Sequence, residues 1–149
     1  MPCRILVDAD ACPVRAEIAR VAEKSRIETI WFANAAQGFE PDGGRMVRVS
    51  DRRDAADFSM ASECRAGDIV VTDDIGLASM VLAKCAAALS SRGREFDLDQ
   101  IPILLAQRHA AAKARRAGKR TRGPSALTRA DRQRFQRELA ALVRERRTT

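Results

Sequence analysis

Three groups of aspartates have a spacing that chemistry could use. Asp8 and Asp10 follow the apolar run 3–7 (CRILV), Asp73 and Asp74 end the run 68–72 (DIVVT), and Asp54 and Asp57 stand three apart in DAAD. On a helix, a spacing of three puts both side chains on one face, a turn apart, where like charges repel mildly. Gathering all three groups in one place is costly unless something compensates. Carboxylate oxygens are ligands suited to Mg²⁺ or Mn²⁺, and a divalent ion removes the repulsion while supplying reactivity. A metal-dependent nuclease uses such carboxylates to hold one or two ions that activate water, clamp the scissile phosphate and stabilise the leaving oxygen. Each group also has a plainer reading. Asp8 or Asp10 caps the helix that follows. Asp54 caps its own helix, with Asp57 favoured in the first turn by the dipole, and Asp73 or Asp74 caps a helix starting at Ile75.

A second chemistry fits part of the pattern. In an aspartyl-phosphate phosphatase the first Asp of an Asp-x-Asp is the nucleophile and the second an acid/base. Asp8 and Asp10 have that spacing, and Ser50 and the TDD at 72–74 end two further strand-like runs. That scheme needs a Lys between the Ser and the last acids, but no Lys occurs between Lys24 and Lys84. It also leaves DAAD without a role. A third reading is non-catalytic, a nucleic-acid-binding protein without turnover.

Elements must position these acids. Residues 3–7, 28–34 (ETIWFAN), 46–50 (MVRVS), 68–72 and 86–89 read as strands. Between them lie amphipathic stretches. Pro13 suits a first helical turn, and Val14, Ile18, Val21 and Ala22 form one apolar stripe. Helices are also expected over 54–64 and 75–85. Residues 35–44, with Gly38, Pro41, Gly43 and Gly44, read as a loop. Alternation of strands and helices over the first 90 residues is the signature of βαβ units, a mostly parallel sheet and a three-layer α/β sandwich. In such sheets ligands bind outside the carboxyl ends of the strands, at the switch in strand order. That is where Asp8, Asp10, Asp73 and Asp74 would fall.

The pattern then changes. Arg92-Gly93-Arg94 marks a turn before a short edge strand, 101–117 is helical by composition, and 118–125 (GKRTRGPS) is a basic linker. Thr128 with Asp131 three residues on resembles a capping box. Phe135, Leu139, Leu142 and Val143 form a stripe that needs a surface to cover it, so the last helix should dock on the body.

The 149 residues fit one domain. Apolar residues make up 46% of them, but 27 are Ala and aromatics are only 4%, so the core must come from helices packed closely on a short sheet. Residues 1–100 carry 13 basic and 17 acidic side chains, and 101–149 carry 14 and 3. An acidic body with a basic helical extension is either a solvated Arg-rich face or a site for a polyanion, which a metal ion would reconcile with the acids. No apolar run is long enough to span a membrane, and no signal peptide is expected. Cys3, Cys12, Cys64 and Cys85 are dispersed and His109 is the single histidine, which excludes an ordinary structural zinc site. Reduced thiols and a cytoplasmic location are the default expectation. Cys12 is expected to be a buried structural thiol, His109 a surface residue, and Trp31 and Phe32 core. Few aromatics accompany the basic tail, so base stacking there is not supported.

Several strings are distinctive together: VDADACP (7–13), DAAD (54–57), GDIVVTDDIGLA (67–78), Arg92-Gly93, LAQR (105–108), Gly123-Pro124 and DRQRF (131–135). In these the chain resembles the YaiI/YqxD family of small bacterial proteins of unestablished function, over nearly its whole length. The resemblance implies a PIN-like nuclease fold, a Rossmann-like sandwich with an acidic pocket for Mg²⁺ or Mn²⁺, and by analogy an activity on RNA. It matches Asp8 to the acid after the first strand, Asp54 or Asp57 to the acid of the central helix, and Asp74 to the acid of a strand-Thr-x-Asp pattern in which Thr72 is the Thr. Asp8, Asp57 and Asp74 are thus the expected catalytic ligands, with Asp10 and Asp54 assisting. Thr72, Arg92, Arg108 and Arg132 fall in matched segments as candidate contacts to substrate phosphates. Asp73 is additional, and Arg53 stands where the family pattern suggests a Gly.

Overall fold

The computed structural model describes residues 3–34, 41, 43–52, 54–120 and 125–147. Five strands, β1 (Arg4–Asp8), β2 (Glu28–Asn34), β3 (Arg45–Val49), β4 (Ile69–Val71) and β5 (Ala87–Leu89), form one parallel sheet in the order β3-β2-β1-β4-β5. The chain winds outward from β1 in one direction and then returns to build the other side, so the order switches between β1 and β4. Register pairs Ile5–Val7 with Thr29–Trp31 on one side and Ile69–Val71 on the other. Helices cover both faces: α1 (Arg15–Ser25), α2 (Ala55–Glu63), α3 (Ile75–Ala83), α4 (Ile101–Arg116) and α5 (Arg129–Arg147). The three-layer arrangement expected from the alternation of elements is present.

Side chains alternate across a strand, and here both faces are apolar, as a parallel sheet covered on both sides requires. Ile5, Val7, Trp31, Ile69, Val71 and Leu89 point to the layer of α1 and α5. Leu6, Ile30, Phe32, Val70 and Ala88 point to the layer of α2, α3 and α4. The basic C-terminal third therefore divides between the layers. Ile101, Leu104 and Leu105 of α4 pack on the α3 side, whereas Phe135, Leu139, Leu142 and Val143 of α5 complete the core beside α1. The capping box forms as expected: the Thr128 Oγ1 accepts from the Asp131 N–H and the Asp131 carboxylate from the Thr128 N–H, both at 3.0 Å.

Two glycines permit close approach of backbones. Gly44 has φ +80°, and a Cβ there would lie 2.4 Å from the Thr29 carbonyl oxygen. Gly93 has φ +82°, and a Cβ there would lie 2.9 Å from the Phe135 nitrogen, so the Arg92-Gly93 turn is where α5 seats. That turn leads to a single antiparallel bridge, Leu89 to Glu95, in place of the expected edge strand. At the amino ends of β1 and β4, buried Arg4 forms a forked pair with buried Asp68 at 3.1 and 2.7 Å and also reaches Glu63. Among the described residues no helix is long and apolar enough to cross a membrane. Gly38, Arg53 and the Gly123-Pro124 pair lie outside the described residues.

Candidate functional site

β1 and β4 are neighbours, so the chain segments after them emerge side by side at the carboxyl edge of the sheet. Asp8 ends β1, and Asp73 and Asp74 follow β4. Asp57 arrives from the first turn of α2, which lies over the same edge. Asp8, Asp57, Asp73 and Asp74 line one cavity of about 200 Å³ with Cys12, Pro13, Thr72 and Ser91. Among the described residues no Lys, Arg or His side chain lines it.

Local bonds set the aspartates. Asp74 caps α3, with Oδ1 accepting from the Leu77 N–H at 3.0 Å. The Thr72 Oγ1 accepts from the Asp74 N–H at 3.0 Å, so Thr72, expected to meet substrate, positions Asp74. Asp73 is not the cap. Its two oxygens accept from the Ser91 backbone and hydroxyl at 2.9 and 2.7 Å, tying β4 to the end of β5. Asp8 does not cap α1 either, because Val14 holds the N-cap position; its carboxylate accepts from the backbone N–H groups of Ala11 and Asp10.

Electrostatics mark the cavity as short of positive charge. Burial raises the Asp8 pKa above the ordinary carboxylate range, and the charges of Asp10 and Asp74 push it the same way. Asp57 is raised to about 6, by burial first and then by the charges of Asp74 and Asp8; it also shares a hydrogen bond with the Asp74 side chain. Cys12 is pushed up to about 11, mainly by burial, so it remains a thiol; it is half-buried rather than fully buried.

The assisting acids stand next door. Asp10 and Asp54 line an adjoining groove with Asp8, Asp57, Asn34, Ser50 and Arg52. The Asp10 Oδ2 accepts from the Asn34 N–H at 2.6 Å. Asp54 occupies the N-cap position of α2 in a left-handed conformation, φ 64°, and its side chain makes no capping bond. Five sequence-selected acids thus meet at one edge, three in the cavity and two in the groove beside it. Among the described residues no three His, Cys, Asp or Glu side chains form, as they stand, a group that could hold a metal ion.

The arginines distribute differently. Arg92 pairs with Asp131 at 2.8 Å and donates to the Ser125 carbonyl. Arg132 donates to the Pro13 carbonyl at 2.7 Å and lies 3.5 Å from Glu17. Both hold α5 to the body. Arg108 and His109 are exposed on α4, away from the cavity's lining. Ser91 and Asn34 were not foreseen. Ser91 lies 18 residues from Asp73 and meets it only because β5 pairs with β4, a pairing with no local sequence signal.

With this geometry in view, the comparisons with known proteins identify the family. The profile described as "Uncharacterized BCR, YaiI/YqxD family" matches residues 6–145. The chain belongs to the YaiI/YqxD family. It is 42% identical over 132 residues to UPF0178 protein BH1374 of Halalkalibacterium halodurans, covering 88% of this chain and 84% of that one. It is 41% identical over 133 residues to UPF0178 protein lwe1471 of Listeria welshimeri, covering 89% of each. The match to UPF0178 protein RBAM_023530 of Bacillus velezensis is 42% over 133 residues, or 88% of this chain and 79% of the other. No solved structure gives a significant match. The family profile spans every acid of the site, from Asp8 to Asp74.

Proposed function

We propose that this YaiI/YqxD protein is a divalent-metal-dependent phosphodiesterase with a PIN-like site, acting on RNA in the cytoplasm. One observation carries the reading. Asp8, Asp57 and Asp74, from three separate segments, line a single cavity to which no basic side chain among the described residues contributes. Capping explains Asp74 and a first-turn position on α2 suits Asp57, but Asp8 caps no helix and neither role explains why the three acids share one cavity. The donor set suits Mg²⁺ or Mn²⁺ in kind, since every acid in the wall offers carboxylate oxygens. It is not closed around an ion as it stands, so binding requires the Asp57 and Asp74 side chains to exchange their mutual hydrogen bond for the cation.

Asp8, Asp57 and Asp74 would hold the ion, with Asp10 and Asp54 beside them. A bound Mg²⁺ or Mn²⁺ supplies Lewis-acid polarisation of a phosphoryl oxygen and lowers the pKa of water. The chain's own residues fix the platform: Thr72 and the α3 cap set Asp74, the backbone after β1 sets Asp8, and Ser91 keeps Asp73 turned toward β5. The phosphatase reading has no Lys beside Asp8 among the described residues, and Arg52, which shares only the adjoining groove with Asp8, is the one basic side chain there to neutralise a phospho-aspartate. The lack of a ready-made ligating group favours the non-catalytic binder as the second reading.

Calorimetric titration with Mn²⁺, followed by incubation with mixed RNA, separates them. The enzyme reading expects binding by the wild type, binding weakened by about tenfold or more in Asp74→Asn, and RNA cleavage that chelation abolishes. No binding at millimolar Mn²⁺ overturns it.

A further inference from the structure

A long groove runs between α1 and α5 on the layer opposite α2–α4. Its volume is about 890 Å³. One wall carries Arg20 and Lys24 from α1, and the other carries Arg137, Arg144 and Arg147 from α5. Among the described residues Glu23 is the one acid in the lining. The α5 cations recur at seven and three residues, which keeps them on one stripe of the helix. From Arg137 to Arg147 that stripe is about 15 Å long by helix rise. Val21 and Ala140 add apolar surface to the lining.

The cations divide into two kinds. Arg20 and Arg147 span the groove: Arg20 donates to the Gln136 side chain at 3.3 Å and Arg147 to the Ser25 carbonyl at 2.7 Å. Lys24, Arg137 and Arg144 make no side-chain hydrogen bond or ion pair among the described residues. Three unpaired cations around a concave, partly apolar trough form a site for a chain of phosphates. A flat anionic membrane would touch the rims and leave the trough empty. The groove also leads somewhere. Gln133 lines its end, and the preceding residue, Arg132, donates to the carbonyl of Pro13, which lines the acidic cavity.

We infer that the α1–α5 groove binds the phosphodiester backbone of single-stranded RNA, through Lys24, Arg137 and Arg144, and delivers the strand to the rim of the acidic cavity. The choice of RNA and the delivery step rest on the proposed function. Binding in the groove does not, because it needs no metal. These residues are not the Arg92, Arg108 and Arg132 that the motifs suggest, and Lys24 comes from the acidic part of the chain.

The test is fluorescence anisotropy of a labelled oligouridylate with the full chain in EDTA, between 50 and 200 mM salt. Arg137→Gln/Arg144→Gln should weaken binding about tenfold near 0.1 M salt and lower the slope of log K against log salt by about 1.4, the share of two single-strand phosphate contacts. Lys24→Gln, on the opposite wall, should lower the slope by about 0.7. Lys113→Gln/Arg116→Gln removes the same charge from α4, outside the groove, and should change affinity less than about twofold. Equal losses in the groove and α4 variants would overturn the inference, because binding would then follow net charge alone. So would groove variants that keep RNA affinity and instead lose binding to phosphatidylserine vesicles. Groove-dependent RNA binding in a protein that shows no Mn²⁺-dependent cleavage would sustain the inference while removing the hydrolase reading. Mn²⁺-dependent cleavage unaltered in KM by the groove variants would do the reverse.

Discussion

Asp74 has two roles that a substitution can separate. It caps α3 through the Leu77 N–H, and its charge and hydrogen bond help to raise the pKa of Asp57 across the cavity. Asn caps about as well as Asp but carries no charge. Asp74→Asn should therefore stabilise the metal-free protein at pH 7, because the cap persists and the repulsion goes. Asp74→Ala loses the cap and should lie below Asp74→Asn by about 1 kcal/mol, or roughly 3 °C in Tm for a chain of this size. Thermal unfolding in EDTA reads both. If the Asn variant melts below the wild type, the charges of the cavity are not in conflict and the case for a cation site weakens. The position of Asp74 was legible in the sequence, since an apolar run ending in Thr-Asp-Asp announces a strand end and a helix start. Which of the two aspartates capped was not. That depended on Ser91, which the fold brings to Asp73 from a neighbouring strand.

At the scale of elements, the strands and helices were legible because each signal was local. Apolar runs of three to seven residues bounded by Gly, Asp or Asn sit between stripes of helical period, and β2 spans Glu28–Asn34 as read. The layer each late helix joins was not legible. α4 and α5 share a basic composition but cover opposite faces, and only the contacts of Ile101 and Phe135 distinguish them. The seat of α5 depends on Gly93. Gly93→Ala forces a left-handed residue with a side chain into the backbone of Arg134 and Phe135. It should cost about 2–3 kcal/mol, measured by urea unfolding, and a loss under about 0.5 kcal/mol would mean that α5 shifts without consequence. The other long-range clasp, Arg4 with Asp68, also had no sequence signal, as the partners lie 64 residues apart. Arg4→Met leaves the Asp68 carboxylate buried without its partner and should destabilise by about 3 kcal/mol. In the same urea assay, a change below about 1 kcal/mol would show that water or a proton replaces the guanidinium readily.

For the whole molecule, the acidic cavity makes stability depend on pH and metal together. In the folded chain Asp57 holds its proton up to about pH 6, whereas an unfolded Asp releases it near pH 4. Between those values the folded state binds more protons than the unfolded state. The contribution of Asp57 to the stability of the metal-free protein therefore falls as pH rises through that window and levels off above it. The raised pKa of Asp8 acts in the same direction. A divalent cation reverses the trend, because it binds the ionised carboxylates and competes with the proton. Mn²⁺ should raise Tm at pH 7.5, by an amount set by the ratio of its concentration to its dissociation constant. At pH 5, with Asp57 mostly protonated, most of that rise should vanish. Asp57→Asn should abolish the rise at both pH values and flatten the metal-free profile between pH 4 and 6. Thermal scans at the two pH values, with EDTA or Mn²⁺, read each term. A Mn²⁺ effect of equal size at pH 5 and pH 7.5, or one that persists in Asp57→Asn, would place the ion elsewhere on the protein and leave the cavity's shared acids as a strained feature of the fold without a cation to explain them.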